Sequence, residues 1–312
     1  MTHDRPSPAL LILSFATIYL VWGSSFVATK VMVHDLPPLL AAGIRFSVAG
    51  LLLGAIALGR GMRIPRRLHE WRQCAVMGTL LVVTASGLNV VAMRHVASNQ
   101  AALLNASSAF WITLLGTQGA QGSALTLRSG AATLIGFAGV ALLLWPAGGF
   151  VPGNFGWQLV IVCACLGWAL GTLYYRRVRP QLPALMFSAL QMLIGGLTLA
   201  IAGLARGDAA RWVFTPSSFA ALAFLMVFSS CFAYTAFLYL LRHTTPARFS
   251  TYAYVNPAVA AVLGWAILGE RLSAVQLLGT AVILLGVVLV SLPDGRGRAD
   301  STASTTPAEP SG

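Results

Sequence analysis

Ten stretches of about twenty residues, nearly all apolar, follow one another along this chain: 9–29, 38–58, 73–93, 98–117, 127–145, 157–175, 183–204, 217–240, 247–268 and 274–292. No other feature limits the fold as much. A bilayer core of ~30 Å is crossed by ~20 helical residues, and inside lipid a helix satisfies its own backbone groups. The runs are too long for strands and do not alternate. The composition agrees: charged residues are 9% of the 312, against about 25% in ordinary soluble domains. Apolar residues reach 57% and mean hydropathy is +0.78. The sequence therefore predicts an all-α integral membrane protein whose first partner is the lipid bilayer.

The net charge of +12 invites a nucleic-acid partner, but the placement of the charges argues against one. The basic residues, nineteen arginines and Lys30, lie mostly in short loops between apolar runs. With the N-terminus inside, fourteen of the twenty fall in inner segments and five in outer ones, the remainder being Arg45 within a run. That bias predicts both termini in the cytoplasm. The first apolar run, from Ala9, is longer than the ~7–15 residues of a signal-peptide core, so it reads as a transmembrane helix.

An internal repeat divides the chain. Trp22 recurs as Trp168, Arg45 as Gln191 and Gly50 as Gly196, and the pair Arg94-His95 as Arg242-His243, at offsets of 146 to 148 residues. Five helices per half is an odd number, so the second half enters the membrane from the opposite side. The expected architecture is ten transmembrane helices in two inverted five-helix repeats. Residues 1–8 form a cytoplasmic N-terminus, 9–146 and 157–293 the repeats, 147–156 a linker, and 294–312 a polar, disordered cytoplasmic tail. Inverted repeats are typical of secondary transporters, with substrate held near the midplane.

Polar residues inside the apolar runs are the candidate substrate contacts. Asn256-Pro257 lies at the centre of the ninth run, where proline removes a helix hydrogen bond from the Ala253 carbonyl. The functional reading is a broken helix lining a polar cavity; the structural one is a kink tied down by Asn256. The neighbouring Tyr252 and Tyr254 join this group. Trp22 and Trp168 could wall the cavity and stack on substrate, or could mark close helix packing with small neighbours such as Ser24. Arg45 costs ~2.5–3.5 kcal/mol or more to bury in lipid, so it faces protein. It could hold a substrate carboxylate or bond to carbonyls. Gln191, its repeat partner, is uncharged. Asn89, Asn105, Ser108 and Tyr234 are candidates on the same grounds, each with an interhelical hydrogen bond as the alternative.

Several chemistries find no residues. None of the eight carboxylates and no histidine sits mid-span, which predicts uncoupled or facilitated transport rather than a proton relay. The only lysine follows Thr29, so no Walker A loop is present. His69 and Glu70 begin a zinc-like motif that Gln73 does not complete. Cys163 and Cys165, two apart on a helix, face different ways and make a poor metal pair. No cofactor and no metal are expected, and a homodimer is left open.

The segments YLVWGSSFVATK, AAGIRFSVAGLLL, LGWALGTLYY and PARFSTYAYVNPAVAAVLGWAILGERLS together resemble the EamA family of the drug/metabolite transporter superfamily, over roughly residues 9–293. The resemblance implies a bacterial inner-membrane exporter of amino acids, other metabolites or toxic compounds, with a cavity between the halves. Its proline and acidic motifs correspond to Tyr254–Pro257 and Gly269–Leu272. The first half departs from the pattern at Ser108–Phe110 and Ser123, so its fourth helix is expected to be less kinked than the ninth. Glu270 reads as structural. The leading function is export of small amphipathic metabolites, amino acids foremost. A multidrug exporter, a membrane-embedded enzyme and a non-transporting membrane protein are the alternatives.

Overall fold

The computed structural model describes residues 7–116, 127–144, 152–244 and 252–291. Ser123, linker residues 147–151, the tail from Asp294 and the side chain of Tyr254 lie outside the described residues.

Among the described residues every extended element is a helix. They are α1 (Pro8–Asp35), α2 (Pro38–Gly59), α3 (Leu68–Ala92), α4 (Ser98–Ala106), α5 (Ser108–Gly116), α6 (Leu127–Leu144), α7 (Pro152–Val178), α8 (Ala184–Ala205), α9 (Pro216–Leu241), α10 (Tyr252–Leu268) and α11 (Ala274–Ser291). Six of them, α1, α2, α3, α7, α8 and α9, are long and apolar enough to cross a membrane. Val255–Leu268 of α10 and Leu277–Gly286 of α11 are shorter apolar helices.

Proline opens α1, α2 and α9, where its missing N–H costs nothing. Acidic side chains complete other ends. Glu70 accepts from the backbone N–H of Arg66 and Arg67 (2.9 and 3.3 Å) and from Arg63 Nη2 (2.6 Å) at the start of α3. Asp35, at the end of α1, accepts from the hydroxyls of Thr215 and Ser218 (2.5 and 2.6 Å) and so joins α1 to the start of α9.

The interruption falls in the fourth run rather than in the ninth. The run 98–117 is interrupted at Ser107, where the Ser107 N–H bonds to Leu104 O and the Phe110 N–H to Ser107 O, both i→i−3. These tighter turns separate α4 from α5 without a proline. By contrast α10 continues through Pro257 as one helix, so the break expected there is a missing hydrogen bond rather than an interruption.

Packing pairs elements far apart in sequence. The helix α2 lies along α8, α6 along α11, α4 against α10, α3 against α7, and α1 against α9. Small residues permit the closest approaches. A Cβ placed on Gly50 would sit 2.7 Å from the Leu193 nitrogen and 2.8 Å from the Ala189 carbonyl, and one on Gly196 would collide with the backbone of Phe46 and Ser47. Likewise a Cβ on Gly139 would meet Ile283 and Gly279, and one on Gly286 would meet Gly136 and Ala132. Two apolar cores result. One includes Phe46, Leu81, Phe187 and Phe237; the other includes Leu104, Phe110, Cys165 and Ile283.

Candidate functional site

A cavity of about 150 Å³ lies where α1, α2, α3, α4, α7, α9 and α10 meet the start of α5. Ten of the thirteen residues singled out from the sequence line it: Trp22, Arg45, Asn89, Asn105, Ser108, Trp168, Tyr234, Tyr252, Asn256 and Pro257. Ser24 does not; its hydroxyl donates back to Leu20 O (2.7 Å) and Val21 O (3.1 Å) in its own helix. Gln191 is fully buried outside the lining.

Aromatic rings form one wall. Trp22 meets Trp168 edge-on, with centroids 5.5 Å apart and planes at 83°. Phe237, Tyr252 and Tyr234 approach Trp22 at 5.3, 6.0 and 6.4 Å. Such edge-to-face pairs are favoured by the ring quadrupoles. Both indole N–H groups are engaged, that of Trp22 with Ser229 O (3.4 Å) and that of Trp168 with Tyr252 Oη (3.2 Å). Packing and lining, posed as alternatives for these tryptophans, therefore coincide.

Arg45 is 8% exposed and projects from α2. Its Nε donates to Ser230 Oγ (2.9 Å) and its Nη2 to Ser229 Oγ (3.0 Å), both on α9. Its guanidinium carbon stands 4.6 Å from the centroid of Phe46. Among the described residues the ion pairs join His34 to Asp35, Arg63 to Glu70 and Arg211 to Asp208, and none reaches Arg45. Two neutral hydroxyls orient this cation without neutralising it.

Amides form another pole. Asn105 Nδ2 donates to Ala101 O (2.8 Å), and Asn89 Nδ2 donates to Asn105 Oδ1 (3.0 Å). Asn89 Oδ1 and Asn256 Oδ1 are buried without a hydrogen-bond partner. No carboxylate or imidazole lines the cavity among the described residues.

The sequence reading missed Ser229, Ser86, Thr29 and Phe26 in the lining. The signal was helical spacing. Trp22, Ser25, Phe26 and Thr29 follow i, i+3, i+4, i+7, and so do Ser86, Asn89, Val90 and Met93. Three π-helical segments, Ile18–Trp22, Gly78–Gly87 and Leu225–Ala233, each contribute a lining residue, and such segments recur at functional sites.

Two charged side chains hold the connection between α3 and α4 at one end of the cavity. Lys30 Nζ donates to the carbonyls of Met93, Arg94 and Val96 (2.9, 3.3 and 2.9 Å). Glu270 accepts from Ser98 N, Ser98 Oγ and Asn99 N (2.7, 2.8 and 3.0 Å). A cation thus meets the carbonyls just past the end of α3 and an anion the first N–H groups of α4, as the helix dipoles favour.

Comparison with known proteins places this geometry. The profile of the EamA-like transporter family matches residues 9–145 and 155–292. The inner membrane transporter YedA of Escherichia coli is 35% identical over 277 residues, covering 88% of each chain. A chloroplastic WAT1-related protein of Arabidopsis thaliana is 25% identical over 287 residues, covering 89% of this chain and 68% of its own. A transporter of Bacillus subtilis, YvbV, is 28% identical over 290 residues, covering 90% of each. A crystal structure at 20% identity aligns with a TM-score of 0.67 over 92% of this chain and 98% of its own, which bears on the fold alone.

Proposed function

Since this chain belongs to the EamA-like transporter family, we propose that it is an inner-membrane secondary transporter exporting small amphipathic metabolites, amino acids foremost, by alternating access. The observation that carries the substrate class is Arg45, a buried cation in an aromatic cavity with no carboxylate of the described chain beside it. A charge buried in this way needs a counter-charge, and a substrate carboxylate supplies one. The aromatic wall suits an apolar side chain, and the amides suit a polar head. A hydrophobic drug cation would share the rings but be repelled by Arg45.

The proposed architecture is two five-helix halves of opposite orientation, with both termini cytoplasmic. Reciprocal contacts support it. Gly50 meets Leu193 while Gly196, 146 positions on, meets Ser47, itself 146 before Leu193. Gly139 and Gly286 repeat the relation at an offset of 147, through Ile283 and Gly136. Each half therefore presents the same surface to the other. The absence of acid or imidazole from the described lining favours transport without a proton relay there.

The test is efflux from proteoliposomes loaded with a mixture of L-amino acids. Arg45→Gln is expected to cut the flux by at least about tenfold, the value of one charge-assisted bond of ~1.4 kcal/mol or more, while the variant inserts normally. Unchanged amino-acid flux in Arg45→Gln would refute the assignment, and flux of hydrophobic cations alone would favour the drug exporter.

A further inference from the structure

The amide pole has a polarity that the hydrogen bonds determine. A backbone carbonyl can only accept, so the Asn105 group bonded to Ala101 O must be its NH₂. Asn105 Oδ1 is then the end that meets Asn89, and it too can only accept. The Asn89 end facing it must be its NH₂, which leaves Asn89 Oδ1 as a buried acceptor without a partner. The assignment follows from the network, although amide oxygen and nitrogen look alike as atoms.

Asn256 is 6% exposed, its Oδ1 has no partner, and Pro257 has no N–H to offer the Ala253 carbonyl. Ala253, Asn256 and Asn89 all line the same cavity. Asn89 Oδ1 and Asn256 Oδ1 are thus acceptors without a donor, and the Ala253 carbonyl lacks its helical one, while Arg45 supplies donors elsewhere in the lining. Buried acceptors without donors are costly, and a ligand carrying several N–H groups relieves them.

We infer that Asn89 and Asn256 form the ammonium-reading pole of the cavity, and that Asn105 is the positioning residue that turns the Asn89 carbonyl oxygen toward substrate. This rests on the transport reading above and deepens it. The substrate class is one bearing both a carboxylate for Arg45 and a primary ammonium for the asparagines. N-acylated acids, which keep the carboxylate and lose the ammonium, are excluded by the second pole alone.

The experiment is equilibrium binding to the purified full-length chain in nanodiscs, read by its tryptophan fluorescence. The probes are L-leucine, L-methionine and L-phenylalanine, each with its N-acetyl derivative and its carboxamide. For the unmodified chain both derivatives are expected to bind at least about tenfold more weakly than the parent, because each leaves polar groups of the site unpaired. In Asn89→Leu and Asn256→Ala the penalty for N-acetylation should fall toward one, while the penalty for amidation persists. In Arg45→Gln the reverse should hold. In Asn105→Leu the Asn89 amide is free to turn, and the N-acetyl penalty alone should shrink. A wild-type N-acetyl penalty in both Asn89→Leu and Asn256→Ala overturns the pole. A wild-type penalty in Asn105→Leu overturns its positioning role. Asn256→Ala breaks no side-chain hydrogen bond of the described fold, so it decides the matter should the α3 or α4 variants fail to accumulate. If the unmodified chain binds none of the three parents, the amino-acid reading falls and takes this inference with it. If it binds them with an Arg45-dependent amidation penalty only, the transport reading stands and the asparagine pole is refuted.

Discussion

Arg45 shows how one residue can be legible in a sequence while its surroundings are not. A lone arginine in an apolar run must face protein, because lipid gives a guanidinium no partners. Its partners, Ser229 and Ser230, lie 184 and 185 residues away and are consecutive on a π-helical stretch of α9. At the offset of 146 that relates Arg45 to the uncharged Gln191, the positions matching Ser229 and Ser230 are Val83 and Thr84. A hydrogen bond to a charged group contributes ~1.5–3 kcal/mol. Ser230→Ala is expected to lower stability by about that amount, seen as an earlier thermal transition in detergent. Arg45→Met with Ser230→Ala should recover part of the loss, since the stranded charge is then gone.

At the scale of elements, the short helix α4 depends on a side chain from beyond α10. Glu270 accepts from the first two backbone amides of α4 and from the Ser98 hydroxyl. Removing it leaves buried donors unpaired, since Ser98 and Asn99 are both nearly inaccessible. Glu270→Ala should cost roughly 2 kcal/mol locally, measured as faster hydrogen exchange at Ser98 and Asn99, with the amides of α8 unaffected. A Glu270→Gln side chain keeps one acceptor oxygen and should fall between the two. If α4 protection is unchanged in Glu270→Ala, the cap does not hold the helix. The role is one the sequence anticipated in kind, as structural, without indicating what it supports.

At the scale of the molecule, the proposed topology puts the loop 60–67 inside and the loop 206–215 outside. Arg66 and Ala209 are exposed in those loops. In a background with Cys163, the one exposed native thiol among the described residues, replaced by serine, cysteine at Arg66 should react with a membrane-impermeant maleimide only in inside-out vesicles. Cysteine at Ala209 should react only in intact spheroplasts. Labelling of both from one side would refute opposed halves.

What the sequence determined by itself was the solvent of the fold and the chemistry available to it. Apolar runs of bilayer length forced helices, because unpaired backbone groups are not tolerated in lipid. The scarcity of mid-run polar residues made each of them a candidate, and ten of thirteen line one cavity. Tertiary structure decided the rest, for reasons of geometry. Whether Ser24 bonds to its own helix or faces the cavity depends on helix rotation, which neighbouring helices set. Whether a run is interrupted at Ser107 or at Pro257 depends on what the freed groups can reach: helix α4 tightens into i→i−3 turns, whereas α10 stays continuous across its missing bond. The direction of the Asn89 amide depends on a chain of hydrogen bonds that begins at a carbonyl on another helix. Periodicity identifies the face a residue occupies. Only packing decides which partner that face meets, and with it whether a polar atom is satisfied by the protein or left for a ligand.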